Sequence, residues 1–281
     1  MNLPSPDLNL KAQGWQWQNW EGLPYLTCSL LENWRHGFFT QQFSPRSPEE
    51  LVKVFQPTAQ VYRVKQVHGN RVVIPEEIAP PQPPNGKEKP SPILSLEGMV
   101  RETTTEGDGI ISQESDQSVW VATADCTPVL IGDVITGRVA AVHAGWRGTA
   151  KGIVKEAIAR FLVFGSSLEN LRIALGPAIS GSVYQVSEEV AVEVGASLFP
   201  PNTPVLPTLQ QLPHSPILND SCPGKVRLDV RRVIELQLEQ LGINSQQIAC
   251  APFCTYQHQE YFFSYRRTGE KRVQWSSIVS L

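Results

Sequence analysis

The chain has 281 residues, of which 41% are hydrophobic and 18% are charged, and its formal net charge is −3. This composition is typical of a folded globular protein and excludes an intrinsically disordered one. The small acidic excess argues against a nucleic-acid partner, which needs a basic surface, and no apolar run is long enough to span a membrane. Five cysteines are too few to predict a disulfide framework, so we expect free or metal-bound thiols. Because no secretory leader is visible, a cytoplasmic location is expected.

Strand-like patterns dominate the first part of the chain. The aromatic-rich segment 15–39 predicts strands joined by turns. Residues 61–74 predict two strands broken at residues 68–70, where a glycine next to an asparagine suits a turn with positive φ. Prolines then crowd residues 78–98, which predicts a surface loop.

The middle and end of the chain interleave strands and helices. Buried strands are predicted at 118–124, 138–144 and 171–175, and strand-like aromatic segments at 247–281. Helices are predicted after Thr149 as N-cap, after Ser187, and over 229–241 with Asp229 as cap and Gly242 as stop. A second Pro-rich loop is predicted at 199–224. The class is therefore mixed α and β, and no strong domain boundary is visible.

Three residues at strand ends form the first candidate site: His68, Cys126 and His143. Two imidazoles and one thiolate make a tetrahedral zinc set with one open position, which is typical of a catalytic metal site. The long spacing carries little information, and two unrelated histidines with a small buried cysteine explain the same pattern. Asp125, beside Cys126, is either a group that orients a ligand or transfers a proton, or an ordinary turn residue.

The segment 143–149, HAGWRGT, is the second candidate site. Gly145 would let the backbone approach a ligand, and the helix N-terminus that follows would offer free N–H groups to an anion. Arg147 adds a fork of donors suited to phosphate or carboxylate. We predict substrate binding at Gly145 and Arg147, with an ordinary turn and a solvated arginine as the alternative.

Two further patterns are weaker. Cys250, Cys254 and His258 imitate metal-ligand spacing, but Pro252 disfavours a helix there and a fourth ligand is missing. The arginines at 266–267 could bind phosphate, although solvated charges at a strand end are the simpler interpretation.

Six segments together resemble one known family. They are KQVHGNRV (65–72), GDGIIS (107–112), TADCTPVLIGD (123–133), AVHAGWRGTAKGI (141–153), LGPAISGSVYQV (175–186) and CTYQHQEYFFSYRR (254–267). They are similar to the polyphenol oxidoreductase or "laccase domain" family, also called the peptidoglycan editing factor family, whose members include bacterial purine nucleoside phosphorylases. The resemblance implies an α+β fold, an α/β/β/α sandwich, as a single domain over residues 1–281.

The resemblance also implies a site and an activity. The family's metal ligands fall on His68, Cys126 and His143, with zinc as the expected metal and copper as the alternative. These residues are then expected to be catalytic. The implied reactions are phosphorolysis of adenosine, inosine and methylthioadenosine, and deamination of adenosine, so the expected partners are purine nucleosides and phosphate.

Two other activities stay open. One is copper-dependent polyphenol oxidation, and the other is a Cys126-dependent hydrolase that edits peptidoglycan precursors. A multicopper oxidase holds its blue site and three-copper cluster mostly with histidines, and the chain has only five, at positions 36, 68, 143, 214 and 258. Phenol oxidation is therefore expected at most as a secondary activity of adventitious copper.

Overall fold

Two six-stranded β-sheets form the centre of the protein. The computed structural model describes residues 10–78 and 104–281. The strands are β1 (Trp15–Trp20), β2 (Leu23–Cys28), β3 (His36–Phe39), β4 (Gln60–Tyr62), β5 (Val72–Val73), β6 (Gly109–Ile111), β7 (Gln117–Thr123), β8 (Thr127–Asp133), β9 (Val139–Ala144), β10 (Leu171–Leu175), β11 (Gln185–Ser187), β12 (Ile217–Asn219), β13 (Lys225–Leu228), β14 (Ile248–Cys250) and β15 (Gln274–Val279). The α-helices are α1 (Pro48–Leu51), α2 (Trp146–Ala150), α3 (Ile153–Val163), α4 (Glu188–Ala196), α5 (Val205–Gln211), α6 (Val230–Gln240) and α7 (Tyr265–Thr268).

The first sheet has the strand order β1-β2-β3-β15-β7-β4, and the second has the order β14-β10-β8-β9-β6-β5. A three-stranded sheet, β11-β13-β12, accompanies them. The chain passes from the first sheet to the second between β4 and β5, and again between β7 and β8. These two crossings carry the candidate ligands His68 and Cys126.

Apolar side chains of both sheets meet in a common core. From the first sheet come Phe38, Val119, Val121 and Ile278, and from the second come Ile110, Leu130, Val139 and Ala141. Every residue of β8 and β9 is buried, because the second sheet is covered on both faces. A sheet buried on both faces needs continuous apolar runs rather than alternating ones, which explains the TPVLIG and VAAV segments.

The outer faces are covered unequally. Helices α3, α4 and α6 pack on the second sheet and share a core with Val129, Ile131 and Val142. On the first sheet, α1 and the 3-10 turn that follows it pack over Trp120, together with Phe39 of β3 and Phe55. These layers confirm the predicted α/β/β/α sandwich.

Most predicted elements are confirmed and some are wrong. Helices α4 and α6 begin after Ser187 and Asp229, whose side chains accept hydrogen bonds from the backbone of the first turn. Thr149 is not a cap: it lies inside α2, and Gly152, in the left-handed region at φ 72°, separates α2 from α3. The apolar spacing predicted the helix from residue 153 onward but not the separate helical turn before it.

Two other predictions need correction. The predicted loop 199–224 contains α5 and β12, because proline is tolerated in the first turn of a helix and Pro207 occupies that turn. The segment predicted as strand-like near residue 265 is the short helix α7, capped by the Ser264 side chain. The other Pro-rich stretch, 78–98, lies outside the described residues from residue 79 onward. Among the helices that the structure describes, none combines the length and the apolar character that crossing a membrane requires.

Candidate metal centre and active site

The structure brings together the three residues that the sequence predicts as metal ligands. One ligand atom from each of His68, Cys126 and His143 lies within 4.8 Å of the others. The two imidazole rings meet edge to face with their centroids 4.8 Å apart. His143 is buried, Cys126 is half-buried and His68 is exposed, so the group opens to solvent on the His68 side.

Strand pairing explains the convergence. His143 lies in β9 and pairs with Pro128 of β8, two residues after Cys126. Cys126 itself occupies the tight connection between β7 and β8. His68 lies on the crossing between β4 and β5, which ends beside β6 because β5 pairs with that strand.

The backbone of His68 is unusual. Its φ is 59°, in the left-handed region that residues other than glycine rarely adopt. The sequence predicted a positive φ in this turn, but at Gly69 or Asn70 rather than at the histidine. A strained conformation at a candidate ligand requires specific contacts that hold it.

Asp108 supplies those contacts, and sequence reasoning assigned it no role. Its carboxylate is fully buried and accepts hydrogen bonds from the backbone N–H groups of Val67, His68 and Gly69. It also accepts a hydrogen bond from His143 Nδ1 at 2.9 Å. The one available signal was the aspartate between two glycines at 107–109, directly before a strand.

The charges of the site favour a thiolate. Burial opposes ionisation of Cys126, but hydrogen bonds and charge from His143 and His68 outweigh it and lower the pKa of the thiol to about 6. Burial also opposes the charged form of His143, yet its bonds to Asp108 and Cys126 raise the pKa of the imidazole above its ordinary value. A thiolate is the form of cysteine that binds metals and attacks electrophiles.

Asp125 is engaged with the C-terminal part of the chain. Its carboxylate accepts hydrogen bonds from the Thr255 hydroxyl at 2.6 Å and from the Arg266 backbone N–H at 2.7 Å. Its φ of 88° is also left-handed. These contacts fix the backbone next to Cys126, and the acid–base role stays a prediction.

Gly145 and Arg147 lie at the start of α2. A Cβ atom on Gly145 would lie 2.8 Å from the sulfur of Cys126, so glycine is needed there for space beside the thiol. Helix α2 has only five residues, which leaves little macrodipole for the anion site predicted at its N-terminus. Arg147 is exposed, and its guanidinium lies 4.3 Å from the ring centroid of Trp146.

Tyr184 and Arg266 form a further part of the site. Burial raises the pKa of Tyr184 to about 12. The negative charges of Cys126 and Asp125 act in the same direction, and the positive charges of Arg266 and Arg147 oppose them. The guanidinium of Arg266 lies 4.7 Å from the Tyr184 ring. Sequence reasoning did not single out Tyr184, since a tyrosine after a glycine-rich turn has no distinctive spacing.

The weaker metal candidate, Cys250 with Cys254 and His258, does not join this group. Within the described part of the chain, the three-residue group is the one cluster of donors that could hold a metal. His258 Nδ1 instead accepts a hydrogen bond from the backbone N–H of Cys254 at 3.1 Å. All five histidines fall in the described residues, and only two of them take part in the cluster. The chain therefore lacks the histidines for a three-copper cluster.

Comparisons with known proteins find related sequences. Residues 47–280 match the family model described as "Multi-copper polyphenol oxidoreductase laccase". A Synechocystis sp. protein named purine nucleoside phosphorylase slr1573 is 50% identical over 272 residues, 95% of this chain and 97% of the relative. A Bacteroides thetaiotaomicron protein named purine nucleoside phosphorylase is 34% identical over 180 residues, 63% of this chain and 62% of the relative.

One solved structure shows the same fold. The crystal structure of YlmD from Geobacillus stearothermophilus superposes with a TM-score of 0.73 at 22% identity, covering 94% of this chain and 98% of that one. At this identity the likeness supports the arrangement of the sheets and helices.

Proposed function

This chain belongs to the multi-copper polyphenol oxidoreductase laccase family, and within it we propose that the protein is a metal-dependent purine nucleoside phosphorylase. The 50% identical relative of that name supports the activity. The observation that carries the proposal is the meeting of His68, Cys126 and His143 near the start of α2, the helix that carries the exposed Arg147. The proposed substrates are adenosine, inosine and methylthioadenosine, each with phosphate.

The donor set fits a borderline or soft metal ion. Two imidazole nitrogens and a thiolate are ligands that zinc and copper take, whereas calcium and magnesium prefer oxygen. We propose zinc, with copper as the alternative. When bound, such an ion supplies Lewis acidity at the coordination position that three protein ligands leave open.

The side chains around this group have separate tasks in the proposed reaction. Arg147 binds phosphate, because its guanidinium is exposed and suits two phosphate oxygens. A phosphate oxygen bonds to ribose C1′ while the bond from C1′ to the base nitrogen breaks, and the base leaves with the electron pair and takes up a proton. Asp125 holds the backbone of Cys126 in place through Thr255 and Arg266. Adenosine deamination, in which water attacks purine C6 and the amino group leaves as ammonia, is proposed for the same site.

The test is chromatography of the products of adenosine, incubated with the purified protein with and without phosphate. Adenine and ribose 1-phosphate that form only with phosphate would support the phosphorylase, and inosine would add the deaminase. If protein that has been supplied with zinc forms no adenine under either condition, the proposal is overturned.

A second candidate is favoured by one observation. Asp108, His143 and Cys126 are linked in the order carboxylate, imidazole and thiol, as in cysteine hydrolases that use a histidine base. In that case Cys126 attacks an amide carbon, His143 transfers its proton to the leaving amine, and water then hydrolyses the thioester and restores the thiol. Hydrolysis that is blocked by thiol alkylation and unaffected by chelators would favour this candidate over the phosphorylase.

A further inference from the structure

The carboxylate of Asp108 joins the two histidines of the metal site. Oδ1 accepts the His68 backbone N–H at 2.9 Å and His143 Nδ1 at 2.9 Å. Oδ2 accepts the backbone N–H groups of Gly69 at 2.6 Å and Val67 at 3.2 Å. No arginine or lysine pairs with Asp108 among the described residues, so these donors alone balance a buried charge. A buried carboxylate that loses one of its hydrogen bonds is costly in free energy. The donors around Asp108 are therefore held in fixed positions.

The contact with His143 decides which ring nitrogen is available. Since Nδ1 is directed at a carboxylate, it carries a proton, and Nε2 is the nitrogen whose lone pair is left to bind a metal ion. The backbone reinforces this, because the His143 N–H donates to the Asp108 carbonyl at 2.7 Å, next to the pairing of Gly109 with Val142. The imidazole is thus held in one tautomer and one orientation.

The contact with His68 acts through the backbone. A left-handed conformation at a non-glycine residue costs on the order of 1–3 kcal/mol and persists only where its surroundings impose it. Three consecutive N–H groups directed at one carboxylate impose it here. The exposed imidazole of His68 depends on this turn for its direction toward Cys126.

We propose that Asp108 is the positioning residue of the metal site, which sets the tautomer of His143 and the backbone of His68 with one carboxylate. This inference rests on the proposed metal site. It predicts that the two histidines lose their geometry together when the carboxylate is changed. Partners of this kind typically contribute about 10–100-fold to metal affinity.

The test compares zinc binding by Asp108→Asn with the wild-type protein, measured by competition with a chromophoric chelator. The amide keeps the shape of the side chain but can accept hydrogen bonds on only one atom. We expect the zinc dissociation constant to rise about 10–100-fold. Nitrogen-15 spectra of the histidines should show Nδ1–H in the zinc-loaded wild type and a changed His143 signal in the variant.

Asp133→Asn is the matched control. Asp133 is also fully buried and also accepts backbone N–H groups, those of Ile135 and Thr136, but it lies at the opposite end of β8 from Cys126. This variant should lose stability without a change in zinc affinity or in the His143 signal. A purely structural role for Asp108 would make the two variants alike.

The outcomes separate the two proposals. If the wild type binds zinc and Asp108→Asn binds it equally well, the positioning role is wrong. If the zinc-loaded wild type carries its His143 proton on Nε2, the positioning role is also wrong, and this result does not require the variant to fold. If the wild type binds no zinc, it is the proposed metal site that fails.

Discussion

Gly145 and Cys126 are in such close contact that a Cβ atom on Gly145 would lie 2.8 Å from the Cys126 sulfur and 3.4 Å from a ring carbon of His68. Gly145→Ala should therefore displace the thiol and weaken zinc binding by about tenfold or more, with overpacking that costs about 1–3 kcal/mol of unfolding free energy. Chelator competition and urea denaturation measure the two effects. Gly165→Ala is the control, since its φ of 86° makes alanine strained while nothing lies within 4 Å of the added methyl. Unchanged zinc affinity in Gly145→Ala would contradict the prediction.

Cys126→Ala should remove both zinc binding and nucleoside turnover. The thiolate is one of three ligands, and the loss of a ligand should cost more than the roughly 10–100-fold that a supporting residue contributes. Metal content after dialysis and product chromatography provide the readouts. Cys222→Ala, at an exposed cysteine, should leave both unchanged. Phosphorolysis that survives in Cys126→Ala would refute a role for the thiol.

Arg147→Met should raise the Michaelis constant for phosphate and leave that for the nucleoside nearly unchanged. Hydrogen bonds to charged groups are worth about 1.5–3 kcal/mol, so an increase of about tenfold or more is expected. Initial rates at varied phosphate concentration test this. Arg160→Met, on the outer helix α3, serves as control. An unaltered constant for phosphate would mean that another group, such as Arg266, binds it.

His36 should make the stability depend on pH. Its Nε2 accepts the Cys28 N–H at 2.8 Å, its Nδ1 faces the Trp34 carbonyl, and burial lowers the pKa of the imidazole from 6.5 to about 4. The unfolded chain binds the proton of His36 more tightly than the folded protein does. The contribution of the neutral imidazole to the free energy of unfolding is therefore fully present above pH 6.5 and is lost as the pH falls toward 4. The loss approaches about 3 kcal/mol.

Urea denaturation across this pH range measures the effect against His36→Gln, whose carbonyl can accept the same N–H without titrating. The stability difference between wild type and variant should shrink as the pH falls. A difference that stays constant would show that His36 keeps an ordinary pKa in the folded protein.

The sequence was informative where periodicity and strand ends carry the signal. The apolar runs predicted the buried strands β8 and β9. The placement of His143 and Cys126 at strand ends predicted that the two side chains meet. The role of Asp108 could not be predicted from the sequence, because its hydrogen-bond partners lie in a turn 40 residues earlier in the chain and in a neighbouring strand. Tertiary contacts of this kind leave no local pattern.

The errors also have local physical causes. Thr149 has a side chain suited to an N-cap, but the helix that contains it begins earlier, with Gly145 as the N-cap. Only glycine has room at that position beside Cys126. The aromatic run before Tyr265 has high strand propensity, yet the Ser264 cap and the bond from Arg266 to Asp125 stabilise a helical turn. Residue propensity is outweighed where specific contacts exist.

The crossings from β4 to β5 and from β7 to β8 have a mechanical consequence. His68 and Cys126 each lie on a segment that leaves one sheet and enters the other, while His143 belongs to the second sheet alone. An ion bound by these residues would link the segments that join the two sheets. Any sliding of one sheet over the other would then change the coordination of the ion. Removing the ion should therefore speed amide hydrogen exchange at both crossings together, far more than in the helical layer.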